Sequence, residues 1–334
     1  MNKRVRLVDV AEATQTSIKT VSRVLNNDKR VSDETRKRVQ KKMNDLGYHV
    51  DIIAHSLRTG TDRVIGVVVP KIGDPFFAEL IEEVEEVANE RGIGVIVGST
   101  HGELARETEL VQGFIQRRVT GMIIAPQDVD YSFLNSNQTP AVFIDRAPNK
   151  FKGDVVRVDD EYGAKIATQH LIANGHKRIA YFADNLKIKT TKFRFEGYKA
   201  ALNEANIELD KDLFILELDV SMNLDSTLEK ILTVTNSPTA IFASKAEISI
   251  NIVSSMHKMG RTDIALVSFD DFTLASSIQP SVTVLDHSAR EIGRAAINRL
   301  FEKINGKDLK PQEHIIPLHV LPRGSGEIKA KVSV

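Results

Sequence analysis

No cysteine occurs among the 334 residues, which excludes disulfides, thiolate nucleophiles and zinc–thiolate sites. No apolar run approaches the roughly 18 residues that a bilayer span requires. The basic start MNKRVRLVDVAEA leads into no apolar stretch of signal-peptide length, so a cytoplasmic chain is expected. Catalytic signatures are missing as well: there is no G-x-x-x-x-G-K-[ST] phosphate loop and no G-x-S-x-G turn. GIGVIVG at 92–98 superficially has the glycines of a dinucleotide site. They follow a helix and open a strand, however, the reverse of what pyrophosphate binding needs, and Gly92 reads as a helix end. The nine histidines have no metal-ligand spacing, and His176 in the NGHKRI turn reads as structural. Asp159-Asp160 and Asp270-Asp271 are neighbours in sequence whose side chains need not converge. Neither an enzyme nor a cofactor or metal is expected.

What is present is an ordinary core-forming composition, 42% hydrophobic and 27% charged, with a division hidden inside a net charge of +0. Residues 1–60 carry 13 Lys and Arg against 7 Asp and Glu, while the remainder carries 32 against 38. A basic head on an acidic body points to a phosphate-rich partner for the head.

Three short helical patterns fill that head. The first is about Leu7–Thr14, with Val10, Ala11 and Thr14 on one face. The second is about Ser17–Asn26, with an apolar stripe of Val21, Val24 and Leu25. The third runs from Ser32 to Leu46, with Asp33 and Glu34 in its electropositive first turn and Gly47 ending it. Ser17 and Ser32 are the expected caps. Two short helices joined by a tight turn and braced by a third make a helix-turn-helix. The second helix turns Ile18, Lys19, Ser22 and Arg23 away from its stripe. Lys and Arg suit the guanine O6/N7 edge, and Ile suits a thymine methyl.

The ordered segments LVDVAE, TVSRVLN, VSDETRKRV and LGY resemble the head of the LacI/GalR family of bacterial transcription regulators. The resemblance implies base reading by Ile18, Lys19 and Arg23, with Ser22 on the same face. It also implies phosphate contacts from Leu7, Thr20 and Asn26. Gln15 stands where the family usually has a turn glycine, so the turn is expected to hold Gln in a left-handed conformation at some strain. Downstream, YHVDIIAHSLRTG at 48–60 fits a linker and a short hinge helix, Ile52–Arg58. By resemblance Leu57, with Ala54 beside it, enters the minor groove as a wedge. Val50-Asp51 replaces the family's usual Pro-Asn, which frees the linker and places a negative charge near phosphates.

From Arg63 onward, Val/Ile-rich runs alternate with amphipathic helices, which indicates α/β architecture with parallel sheets covered on both faces. Expected strands are VIGVVV, GVIVGS, GMIIAP, AVFID, RIAYF, LFILEL, TAIFAS, IALVSF and SVTVLD. Helices are expected near 76–91, 104–118, 161–174, 192–205, 224–234, 247–259 and 288–304. The body resembles the periplasmic sugar-binding fold: two doubly wound lobes with a ligand cleft at the strands' carboxyl ends. The expected division is a head at 1–47 and a linker with hinge at 48–61. Lobe 1 is then 62–158 with 288–316, and lobe 2 is 159–287 with 317–330.

Strand ends supply the cleft candidates Asp74, Phe76, Phe77, Asp145, Lys192, Arg194, Lys245 and Asp270. An aromatic from Phe76 or Phe77 could cover a sugar or purine face. By resemblance Arg194 is the main effector-gripping arginine and Asp270 faces the ligand. Lys245-Ala246 stands where the family commonly has Asn-Asp. If Lys245 joins Arg194, two cations favour a phosphate or carboxylate; if Asp270 neutralises Lys245, a neutral polyol fits instead.

The expected function is a ligand-responsive repressor that acts as a homodimer on a double-stranded operator. The effector is a sugar, polyol, sugar phosphate or nucleoside, and no leucine heptads call for a tetramer. The alternatives are a family member controlled by a protein co-regulator and, more distantly, a sugar receptor or a sugar-phosphate enzyme on the same body.

Overall fold

The computed structural model describes residues 5–25, 28, 30–46, 62–219, 223–306 and 310–330. Asn26, Gly47 and the hinge expectations, including Ala54 and Leu57, lie outside the described residues. The chain divides into two compact units, Met1–Asp62 and Arg63–Val334.

In the first unit, α1 (Leu7–Ala13), α2 (Ile18–Leu25) and α3 (Asp33–Leu46) enclose a core of Val10, Ala11, Val21, Val24, Val31, Val39 and Met43. The apolar stripes expected from helical spacing are therefore the buried faces. Ser17 Oγ accepts from the Thr20 amide at 3.0 Å and caps α2. Ser32 Oγ accepts from the Thr35 amide at 3.4 Å. The α1–α2 turn is closed by Thr16 N–H donating to the Ala11 carbonyl at 3.0 Å, with buried Thr14 Oγ1 donating to Val10 O at 2.8 Å. At its apex Gln15 has φ +52°, the left-handed conformation expected where a glycine would be at ease.

The second unit holds two six-stranded sheets. The first is built from β1 (Asp62–Val69), β2 (Gly94–Ser99), β3 (Val119–Ile124), β4 (Ala141–Ile144), β5 (Asp154–Arg157) and β11 (Glu313–Ile315), in spatial order β11-β5-β4-β3-β1-β2. The second is built from β6 (Ile179–Phe182), β7 (Phe214–Ile215), β8 (Ala240–Ala243), β9 (Ala265–Phe269), β10 (Thr283–Asp286) and β12 (His319–Leu321), in order β12-β10-β9-β8-β6-β7. β12 runs antiparallel to β10, and the pairs β6–β7, β6–β8, β8–β9 and β9–β10 are parallel. The helices are α4 (Pro75–Asn89), α5 (Leu104–Gln116), α6 (Asp160–Ala173), α7 (Lys189–Glu204), α8 (Asp225–Leu232), α9 (Ala246–Lys258) and α10 (Ala289–Ile304). The chain crosses between the lobes after β5, after β10 and after β11. Accordingly α10 packs on α4 and the first sheet, and α6 packs on α7 and the second.

Two local expectations are corrected. The helix expected from 192 begins at Lys189. The strand expected over LFILEL shrinks to Phe214–Ile215, because a 3-10 turn occupies Lys211–Leu213 and Glu217 takes φ +58°. The short strands β5, β11 and β12 were not singled out; β11 and β12 have only three residues each, too few for a period to register.

One glycine positions the site. A Cβ on Gly197 would stand 2.1 Å from the Glu161 carbonyl oxygen, so only glycine lets α7 approach α6 this closely. That approach brings Arg194, one turn earlier on α7, beside Asp160 at the start of α6.

An L-residue in the left-handed region costs roughly 1–2 kcal/mol relative to glycine. Gln15→Gly is therefore expected to stabilise the head by about 1 kcal/mol, seen as a higher midpoint for the head's unfolding in the intact chain. A lower midpoint would show that Gln15 carries a compensating contact.

Candidate functional site

On the head, α2 presents the face expected from its sequence. Ile18 is 50% exposed although apolar. Lys19 is exposed, and Thr20, Ser22 and Arg23 are partly so. The Arg23 Nε lies 3.8 Å from an Asp28 carboxylate oxygen, and that carboxylate is held chiefly by Arg30 through a 2.7 Å ion pair. Leu7 is half-buried against the head core.

In the body, the carboxyl ends of the strands converge on a cavity of about 400 Å³. Both sheets reverse their winding here, the first between β1 and β3 and the second between β6 and β8, which is where a doubly wound sheet leaves room for a ligand. Asp74, Phe76, Phe77, Asp145, Arg194, Lys245 and Asp270 all line the cavity. Lys192 does not. It lies two residues before Arg194, about 200° around the helix, and is exposed while Arg194 is buried.

Arg194 sits at the cavity's floor with its guanidinium carbon 3.6 Å from the centre of the Phe269 ring. Its Nε donates to Asp160 at 2.7 Å and its Nη1 to the Ser244 carbonyl at 2.6 Å, with Asp270 3.5 Å away. Burial works against its charge, yet Asp270, Asp160 and Asp145 together raise its pKa and keep it protonated. Asp270 in turn accepts a 2.6 Å hydrogen bond from His287 Nε2. Burial alone would push the Asp270 carboxyl upward, but the Arg194 charge and the His287 bond outweigh it and hold it below the usual range. Asp145 and Asp270 end corresponding strands of the two lobes, and both have φ +68°, an uncommon conformation at two cavity-lining carboxylates.

Lys245 turns into the cavity rather than to solvent. Its Nζ is 3.3 Å from Asp184 and 3.3 Å from Glu247, so these carboxylates, not Asp270, are its ion-pair partners. Glu247 also pairs with Lys71 from the opposite lobe. A second link between lobes joins Lys189 Nζ to the Asn149 side-chain oxygen at 2.5 Å. Asp74 caps α4 by accepting from the Phe76 amide at 3.0 Å. Burial raises its pKa to about 6 against the opposing pull of Lys245, with Asp270 and Glu247 adding to the rise. Burial likewise raises Asp160 to about 6, partly offset by Arg194.

Candidates missed from sequence include Lys71, Gln127, Asp184, Ser244, Glu247 and His287, which also line the cavity. Each follows the end of an apolar run or opens the next helix, so the same strand-end rule would have found them. His176 is buried, bonded to Thr239 at 2.8 Å and to the Ile328 carbonyl at 2.7 Å, in keeping with a structural role. The adjacent carboxylates diverge: Asp159 caps α6 while Asp160 meets Arg194, and Asp271 pairs with Arg323. Among the described residues no group of side chains has the arrangement of a metal site, and no helix is long and apolar enough to cross a membrane.

Fold and site thus define a two-lobed small-molecule-binding body carried by a chain with a helix-turn-helix head. The family model for bacterial regulatory proteins of the lacI family matches residues 6–51. The model for periplasmic binding proteins and the sugar binding domain of the LacI family matches residues 62–323. The chain belongs to the LacI family, and it is a helix-turn-helix transcription regulator with a sugar-binding-type domain. It is similar to the transcriptional repressor PurR of Aliivibrio salmonicida, 30% identical over 93% of this chain and 95% of that one. It is similar also to the transcriptional regulator DegA of Bacillus subtilis, 30% identical over 96% of this chain and 97% of that one. These relatives are named as regulators, not enzymes. Among solved structures, the lac repressor dimer bound to operator and the anti-inducer ONPF superposes with a TM-score of 0.82. It has 25% identity and covers 98% of this chain and 100% of that one.

Because the pKa values of Asp74 and Asp160 near 6 exceed an ordinary carboxylate's value of about 3.9, the folded chain binds more protons than the unfolded one between about pH 4 and 6. Their contribution to stability therefore rises as pH falls through that window. Asp74→Asn keeps the cap and removes the charge, so it should raise the melting temperature at pH 7.5 and lose that advantage by pH 5. A variant that melts lower than the parent at pH 7.5 would contradict this.

Proposed function

We propose that the chain represses transcription by binding a pseudo-palindromic operator as a homodimer, and that a small molecule in the cleft changes its hold on the DNA. In this reading Ile18, Lys19 and Arg23 read base edges, Ser22 lies alongside, and Leu7, Thr20 and Asn26 hold phosphates. The linker at 48–61, with Ala54 and Leu57, carries the signal from the lobes to the head. The effector is a sugar, polyol, sugar phosphate or nucleoside, gripped by Arg194 and Asp270 and covered by Phe76. The site of action is the cytoplasm.

The observation that carries the reading is the pairing of two sites in one chain. A helix presents exposed Ile18 and Lys19 in a basic head, and a strand-end cavity gathers Arg194, Lys245, Asp74 and Asp270 in the body. Two heads related by a twofold axis would meet half-sites ~10 bp apart, or a multiple of that. Effector and operator must each change the other's affinity by the same factor, because the coupling is reciprocal.

Selection of bound duplexes from a random pool with the full-length chain should enrich a pseudo-palindrome. On the enriched site Arg23→Ala should cost about 1–3 kcal/mol, with little loss on random duplex. Equal losses on both would make Arg23 a phosphate contact, and a pool with no enriched sequence would overturn the operator reading.

A further inference from the structure

The cavity's charges fall into two groups, each with more carboxylates than Lys and Arg. Around Lys245 lie Asp74, Asp184 and Glu247, facing the cations Lys245 and Lys71. Around Arg194 lie Asp145, Asp160 and Asp270, facing the cations Arg194 and Arg146. Each group holds one carboxylate more than it holds Lys and Arg. All four cations are engaged by protein carboxylates, so none waits for an anionic ligand. Of the carboxylates, Asp160 is 2% exposed and committed to Arg194. Asp74 lines the cavity, and the hydrogen bond shown for its side chain comes from the Phe76 amide of its own helix start.

A second feature asks for the same chemistry. His287 lines the cavity with its side chain 3% exposed, and its Nδ1 is buried without a hydrogen-bond partner among the described residues. Its Nε2 is committed to the acceptor Asp270. Nε2 therefore carries the proton, and in the neutral ring Nδ1 is an acceptor. Asp74 and His287 thus both line the cavity, and His287 Nδ1 has no hydrogen-bond partner among the described residues.

We infer, on the reading of the cleft as an effector site, that the effector is a small polyhydroxylated molecule bearing a protonated amine, with Asp74 receiving the positive charge. An ammonium supplies three donors and no acceptor, which suits a carboxylate such as Asp74. It also restores the missing positive charge beside Lys245. A phosphate or carboxylate would add negative charge where carboxylates already outnumber their partners, and would have to displace them from Lys245 or Arg194. A neutral polyol would leave Asp74 ionised with only Lys245 opposing its burial, a cation already paired with Asp184 and Glu247, and the raised Asp74 pKa reflects that shortfall. Phe76 offers a partly buried ring for the ligand's apolar face.

The test is calorimetry of the full-length chain at pH 7 with matched pyranose sets on the glucose, galactose and mannose frames. Each set comprises the neutral sugar, its 2-amino-2-deoxy form, its uronate and its 6-phosphate. An amino form should bind where its neutral, uronate and phosphate counterparts on the same frame bind at least about tenfold more weakly, a difference of ~1.4 kcal/mol. In Asp74→Asn, which retains the helix cap, that preference for the amine should vanish. If a neutral, uronate or phosphate form binds as tightly as its amino counterpart, the amine inference is overturned while the effector site stands. If Asp74→Asn keeps the full preference, Asp74 is not the receptor for the charge and the inference fails. If no member of any frame binds, the sugar-type reading of the cleft fails and the inference falls with it.

Discussion

One guanidinium, nearly sealed from water at the floor of a cleft, sets the terms for everything around it. Arg194 is 8% exposed and faces Asp160, Asp270, Asp145 and the Ser244 carbonyl. A charge this deep is tolerated only when it is paired and hydrogen-bonded. The chain meets that condition by bringing four elements to one point: α6 brings Asp160, Ser244 follows β8, Asp270 follows β9, and α7 carries the arginine itself. Gly197 makes the α6–α7 approach close enough for the pair to form. The Phe269 ring beneath the guanidinium completes a rigid seat.

From that seat the charges extend toward the opposite lobe. Asp270 holds His287, which lies in the crossing between β10 and α10, and Phe76 from the first turn of α4 packs edge-on against the His287 ring at 5.3 Å. Lys245 and Glu247 continue through Lys71 to the end of β1, and Lys189 reaches Asn149. A molecule that engages Asp270 or Asp74 therefore acts on groups that already bridge the lobes. That is the physical basis for coupling ligand to lobe geometry in the proposed function. It needs no moving part beyond ion pairs that can exchange partners.

Much of this was legible in the sequence because the signals are local. Val21 and Val24 recur at helical spacing, and they form the head core. Uninterrupted β-branched runs such as VIGVVV favour strands buried on both faces, and β1 is one. Gln15 occupies a position where the turn's geometry, not its side chain, decides the conformation, so its left-handed φ was foreseeable. Strand-end residues such as Asp145 and Asp270 were found by the rule that ligands bind where parallel strands end. What sequence could not supply was pairing. Lys245 could have faced Asp270, a phosphate or solvent, and only the fold shows Asp184 and Glu247 beside it. Lys192 and Arg194 look alike in the string TKFRF, and two residues of helix separate an exposed cation from a buried one. Asp160, inconspicuous as the second of two aspartates, proves to be the arginine's closest partner.

The most direct test of this account asks whether Arg194 is needed to hold the carboxylates or merely to fill the space. Thermal unfolding of Arg194→Met at pH 7 should show a loss of about 3–5 kcal/mol, because Asp160 and Asp270 are left buried without their cation. Adding Asp160→Asn and Asp270→Asn to that variant should recover most of the loss, since the charges that required the arginine are then gone. If Arg194→Met alone melts with the parent chain, the cleft does not depend on this arginine and the account is wrong at its centre.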